Sequence, residues 1–209
     1  MPRPQPPALP LLPDCSGALL AGGRATRLGG LAKGFLLAQG EPIVARSLRL
    51  FEALFAERFI VANEPEPYRA LGVRVCPDLL IEKGAPGGLH AALSAARTEW
   101  VFAAACDMPF LSREPIAWLS RCRSGQLAVA VVWHGRLEPL HAFWSRACLP
   151  VVEKMVRQGE PSLWALARAV GARFVSEDEW REVDPSGRAF ANANTAEEAA
   201  RLGLSFPRD

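Results

Sequence analysis

Residues 19–35 read LLAGGRATRLGGLAKGF: an apolar run breaks into two glycines, then two arginines, two more glycines and a lysine followed by glycine. A strand that ends in glycine presents bare backbone N–H groups, and such a turn forms a concave nest suited to phosphate. The arginines and the lysine add fixed positive charge, so a triphosphate would use every part of the stretch. The two commonest phosphate loops do not match, because Gly22-Gly23 is not GxGxxG and Lys33 precedes Gly34 instead of serine or threonine. A nucleotide loop of another kind is implied.

Outward from this loop the chain alternates strand and helix patterns. CSGALLAG (15–22) reads as a short buried strand. Residues 42–55 follow with Ile43, Val44, Leu48, Phe51, Leu54 and Phe55 on one helical face, Pro42 being tolerated in a first turn. RFIVAN (58–63) and VRVC (73–76) read as strands. After a glycine-rich loop, Leu89, Ala92, Leu93 and Ala96 mark a helix face leading to the strand WVFAAAC (100–106). Such alternation predicts a mostly parallel, Rossmann-like sheet covered on both faces, a three-layer αβα sandwich. LAVAVVW (127–133), the turn His134-Gly135 and RLEPLHAFWS (136–145) predict a strand pair in which Pro139 marks an edge or an irregularity. Residues 146–158 and 162–170 read as helices stopped by Gly159 and Gly171, and Thr195 with Glu198 forms a capping-box pattern before a short helix closed by Gly203.

Composition narrows the classes. With 209 residues, half of them hydrophobic, one substantial core is expected, a single domain over 14–209 behind a proline-rich, disordered leader at 1–13. The net charge of +2 and the absence of like-charge blocks argue against nucleic-acid or membrane-surface binding. No apolar run approaches the roughly 20 residues of a membrane span, and five scattered cysteines read as reduced thiols. A soluble cytoplasmic protein is the expectation.

LAGG (20–23) with RLGG and KG behind it, PGGLHAAL (86–93), CDMPFL (106–111), EPLHAFW (138–144) and FANANTAEEAARL (190–202) stand in order along the chain. This set resembles the motifs of the nucleotidylyltransferases of the glycosyltransferase-A-like fold, and among them the molybdenum cofactor guanylyltransferase family, from about residue 16 to 204. The resemblance implies a sheet carrying one antiparallel strand. It also implies an enzyme that moves GMP from GTP to the terminal phosphate of molybdopterin, with Mg²⁺ as cofactor and cofactor insertion or delivery proteins as partners. It places Leu20, Ala21, Gly22, Gly23, Lys33, Asn63, Asp78 and Asp107 on the nucleotide, Asp107 on the metal, and His141, Asn192 and Asn194 on the acceptor. Arg27, Lys33 and Asp107 become the catalytic set, the two cations neutralising charge that grows on the departing pyrophosphate.

From residue type alone, Asp107 fits either a turn cap or a ligand at a strand's carboxyl end, and His141 fits a structural histidine as well as a binding one. Two departures from the family pattern stand out. Ala32 replaces the aspartate usual before the lysine, and Ala85 replaces a usual glycine, with Gly84 beside it to take the turn. A sister enzyme using CTP or another phosphorylated acceptor, and a nucleotide-binding module without turnover, are the competing readings.

Overall fold

The computed structural model describes residues 12–21, 27–28, 31–159 and 161–207. In chain order, β1 (Leu12–Leu20) precedes the short strands β2 (Arg27–Leu28) and β3 (Leu31–Ala32), a 3-10 turn (Lys33–Phe35), β4 (Leu37–Ala38) and β5 (Glu41–Pro42). Then come α1 (Ile43–Leu54), β6 (Phe55–Val61), β7 (Arg74–Cys76), α2 (Gly84–Ala95), β8 (Trp100–Ala105), α3 (Arg113–Ser120), β9 (Ala128–Trp133) and β10 (Arg136–Ser145). The chain continues through α4 (Leu149–Gln158), α5 (Leu163–Ala169), β11 (Arg173–Val175), α6 (Glu177–Arg181), α7 (Ala196–Arg201) and β12 (Leu204–Ser205).

The main sheet has the order β11-β9-β10-β8-β1-β6-β7. Its pairings are parallel except on the two sides of β10, which runs against its neighbours β8 and β9. Period-2 alternation splits the central strands between two cores: Cys15 and Leu19 face one, Ala18 and Leu20 the other. Val44, Leu48 and Phe51 of α1, Ile116 of α3 and Trp180 of α6 cover the first face. Leu89 of α2, Val152 of α4 and Leu166 of α5 cover the second. Each fully buried side chain of this size contributes about 1.5–3 kcal/mol, and the three-layer αβα arrangement follows. Gly17 has its reason here, since a Cβ would collide with the rings of Phe51 and Phe55 that seal α1 onto β1.

Several boundaries differ from those read in the sequence. β1 begins at Leu12, two residues inside the expected leader, and pairs there with Phe55. The glycine-rich segment before Leu89 is helix, not loop: α2 starts at Gly84, whose φ of +56° takes the turn and leaves Ala85 in helical backbone. Pro139 lies in an interior strand, accommodated by a bulge between Glu138 and Phe143 on the β9 side. β11 and α6 with its Ser176–Glu179 capping box were not read at all. A second sheet, β12-β4-β5, with a small core of Leu36, Ile43, Ala193, Ala199 and Leu204, ties the C-terminal segment to the residues just after Lys33. All five cysteines are free. Among the described residues no helix is long and apolar enough to cross a membrane.

Candidate nucleotidyl-transfer site

From β1 the chain winds to β6 and β7 on one side, then returns to β8 on the other, so the order reverses between β1 and β8. In open α/β sheets the crevice beyond the carboxyl ends of such strands collects ligands. Leu20 and Ala105 are level in register there. The Cys106 N–H donates to the Leu20 carbonyl at 3.1 Å, holding Asp107 beside Ala21. Ala21 donates its own N–H to Val61 at 2.9 Å, so that amide is committed to the sheet and is not available to a ligand. Gly22 and Gly23 lie outside the described residues. For Arg27 only the backbone is described: β2 pairs with β3 so that residue 27 stands opposite Ala32, next to Lys33.

Lys33 is 3 % exposed. Its Nζ donates to Asn194 Oδ1 at 2.8 Å and stands 3.7 Å from Asp107 Oδ2. Gly34 brings these groups together. It is buried, and a Cβ on it would sit 3.3 Å from the Cys106 carbonyl and 3.4 Å from Val44, so glycine lets the lysine turn press on the strand end that carries Asp107. Asn194 Nδ2 donates to Asn192 Oδ1 at 3.2 Å, and the Asn194 N–H donates to Glu198 Oε2 at 2.7 Å, which extends the capping box of α7. The structure thus joins Asn192, Asn194, Lys33 and Asp107 in one polar chain.

Asn63, just past β6, and Asp78, just past β7, form a reciprocal pair. The Asp78 N–H donates to Asn63 Oδ1 at 2.8 Å, and Asn63 Nδ2 donates to Asp78 Oδ2 at 3.1 Å. Asp78 Oδ1 is buried with no hydrogen-bond partner, beside Gly88 of α2, whose own close approach to Leu20 needs the missing side chain. An acceptor in that state fits a ligand N–H or O–H.

His141 is withheld from the crevice. It is fully buried, its ring lying edge-on to Phe102, Trp180 and Phe190 at 5.1, 5.3 and 5.4 Å, with neither nitrogen hydrogen-bonded. The pleat explains this: His141 stands opposite Ala104 on the sheet face that carries Phe102, Phe143, Trp180 and Phe190, so its ring turns into the first core although it sits at the last β8 pair. Burial lowers its pKa to about 4, so the ring is neutral and structural. Burial raises the Asp107 carboxyl above the usual carboxylate range, an effect partly offset by the Lys33 ammonium.

A family model described as MobA-like NTP transferase domain matches residues 17–178. The chain belongs to that family. It is 32 % identical over 185 residues to the molybdenum cofactor guanylyltransferase of Syntrophotalea carbinolica, covering 88 % of each chain. It is 34 % identical over 184 residues to that of Desulfosudis oleivorans, covering 88 % of this chain and 91 % of the relative. The crystal structure of molybdopterin-guanine dinucleotide biosynthesis protein A from Archaeoglobus fulgidus shares the fold with a TM-score of 0.76 at 23 % identity, over 90 % of this chain and 96 % of the other. The protein is a nucleotidyltransferase whose relatives place it in molybdenum cofactor biosynthesis.

Two further features near this end of the sheet go beyond the site residues expected from the sequence. Glu138 lies on the part of β10 that runs past its last β8 pair, His141 with Ala104, toward the end of the sheet where Asp107 stands. Burial pushes its carboxyl up to about 7, and the available signal was a lone charge beside proline in an apolar strand. A cavity of about 580 Å³, lined among others by Arg46, Pro109, Phe110, Arg188 and Leu204, adjoins the loop after Asp107. The Arg188 guanidinium lies 4.0 Å over the Phe110 ring. Pro109 and Phe110 belong to CDMPFL, whereas Arg46 and Arg188 are distant in sequence and lie in no motif.

Proposed function

We propose that the protein transfers GMP from GTP to the terminal phosphate of molybdopterin, forming molybdopterin guanine dinucleotide and pyrophosphate. The observation that carries this reading is the meeting of Lys33, Asp107 and Asn194 at the switch point of the sheet. In this reading Leu20 and Ala21 set the height of the strand end, and the amides of Gly22 and Gly23 cradle the phosphates. Asn63 and Asp78 hold the nucleoside, the free Asp78 oxygen taking a donor from it. Arg27 and Lys33 stabilise charge that develops on the phosphates in the transition state. Asn192, whose amide is exposed, meets the acceptor, and the arginine-bearing cavity has the size of a small-ligand site.

Among the described residues no cluster of three or more acidic, histidine or cysteine side chains forms a metal cage. One half-buried carboxylate suits Mg²⁺, which takes one or two protein carboxylates and fills its shell with phosphate oxygens and water. Asp107 is that ligand in this reading, and Mg²⁺ when bound draws negative charge from the phosphate oxygens. The protein's own part is orientation: a buried ammonium held 3.7 Å from the carboxylate fixes where a phosphate oxygen can meet the positive charge.

The test is a product assay with molybdopterin and each of GTP, CTP, ATP and UTP in turn. The expected result is pyrophosphate and a GMP-containing dinucleotide from GTP alone. A cytidine product instead assigns the chain to a CTP-using sister, and absence of product with every nucleotide overturns the reading.

A further inference from the structure

We infer that Asn194 is a positioning residue for Lys33, acting on the nucleotide side of the reaction through the lysine rather than by gripping the acceptor. The inference rests on the proposed transfer reaction for its kinetic consequence only.

An ammonium group has three donors and no acceptor, so the atom facing Lys33 Nζ at 2.8 Å must be the amide oxygen of Asn194. That fixes the orientation of the amide, and its nitrogen then points to Asn192 Oδ1 at 3.2 Å. Both ends of the side chain are engaged by protein groups, although the residue itself is exposed. The backbone beneath is held as firmly: the N–H groups of Asn194 and Thr195 both donate to Glu198 Oε2, at 2.7 and 3.2 Å, while Thr195 caps α7. Pairing of β12 with β4 and burial of Ala193 and Ala199 anchor that cap to the turn that carries Lys33.

A lysine stem has four rotatable bonds and a strongly hydrated head, so a buried ammonium needs partners to hold one position. Asp107 at 3.7 Å supplies charge without a tight hydrogen bond, and it is the group this reading reserves for metal. The residue before the lysine is Ala32, which has no polar side chain to contribute. The amide oxygen of Asn194 is therefore the fixed, uncharged acceptor that keeps the ammonium in the crevice when the carboxylate turns to another cation. A neutral amide suits this role because it directs the lysine without neutralising it.

The sequence contains three lysines, Lys33, Lys83 and Lys154, so Nζ-¹⁵N-lysine labelling gives three side-chain signals, and Lys33→Ala assigns one of them. In the parent, Lys33 is expected to give a shifted, slowly exchanging ammonium signal. Asn194→Ala should move and broaden it, while Asn194→Asp, which keeps an acceptor oxygen and loses the amide donors, should keep it sharp. An unchanged Lys33 signal in Asn194→Ala overturns the inference, whatever substrates the enzyme proves to use. In the transfer assay, Asn194→Ala should lower kcat by about 10- to 100-fold with the acceptor KM moving less than ~3-fold, and should add nothing further in a Lys33→Ala background. A raised acceptor KM at unchanged kcat, or losses that multiply in the double variant, would show an acceptor contact instead.

Discussion

Two buried titratable side chains give the molecule opposite responses to pH. His141 has a folded pKa of about 4, below the 6.5 ordinary for histidine, because burial disfavours the charged ring. Above pH 6.5 the ring is neutral in both states and costs nothing. As pH falls through the window from 6.5 toward 4, the unfolded chain takes a proton that the folded core refuses, and stability declines. His141→Phe, which keeps an aromatic ring among Phe102, Trp180 and Phe190, should flatten the fall in Tm between pH 7 and 5; an unaltered slope would mean that the ring is solvated. Glu138 works the other way. Its folded pKa, about 7, lies above the 4.5 ordinary for glutamate, so the folded state holds the proton more tightly and stability declines as pH rises through 4.5 to 7. Glu138→Gln should raise Tm relative to the parent at pH 8 and leave it unchanged at pH 4, as read by calorimetry. Residue type could not have separated these cases. Asp107 and Lys33 stand out in the sequence because each breaks an apolar or glycine pattern, whereas Asn194 is marked only by the Asn-x-Asn-Thr resemblance, which assigns it to the acceptor and gives no sign of its bond to Lys33. A histidine in a strand carries no mark of whether its ring faces ligand or core, and the burial of His141 among Phe102, Trp180 and Phe190 settles it.

Among the elements, the glycines show how a helix can hide where the sequence suggests a loop. PGGL lies beside Leu20 and Asp78 in the first turns of α2: Gly87 and Gly88 let the helix approach Leu80 and Leu20, where added Cβ atoms would stand 3.0 and 3.1 Å away. Periodicity failed there because glycine supplies no apolar signal, so the helix became visible only from Leu89 onward. Gly34 is the more consequential case. Gly34→Val would place a branched side chain against Cys106 and Val44, costing about 1–3 kcal/mol as overpacking and pushing the lysine turn off β8. Turnover should fall more than stability implies, and circular dichroism melts set beside kcat separate the two. Equal turnover in that variant would show that the spacing of Lys33 and Asp107 does not matter. At the other end, Thr195→Ala removes one half of the α7 capping box and should cost about 0.5–2 kcal/mol in thermal or denaturant unfolding.

At the scale of the whole molecule, the alternation of strands and helices, the mostly parallel sheet and the antiparallel β10 were all open to sequence reasoning, because each rests on local period and the connections between elements. The small β12-β4-β5 sheet was not. Its strands have two residues each, too short for any period, and they pair because the C-terminal segment already packs through Ala193, Ala199 and Leu204. Yet this sheet brings the ends of the polar chain together, joining a segment near residue 194 to a turn 161 residues earlier. The fold thereby brings the residues proposed for nucleotide, metal and acceptor from separate stretches of the chain to the carboxyl end of the main sheet. Asp107 faces Lys33 there, a half-buried carboxylate at a strand end that belongs to neither of the two cores. The decisive measurement is pyrophosphate release by Asp107→Asn with GTP, molybdopterin and a wide range of Mg²⁺ concentration, set beside its melting temperature. Transfer should be lost by roughly a thousandfold or more while Tm stays within a few degrees of the parent. Transfer at near-parental rate, or an unfolded variant, would contradict the assignment of the carboxylate as the metal-holding centre of the site.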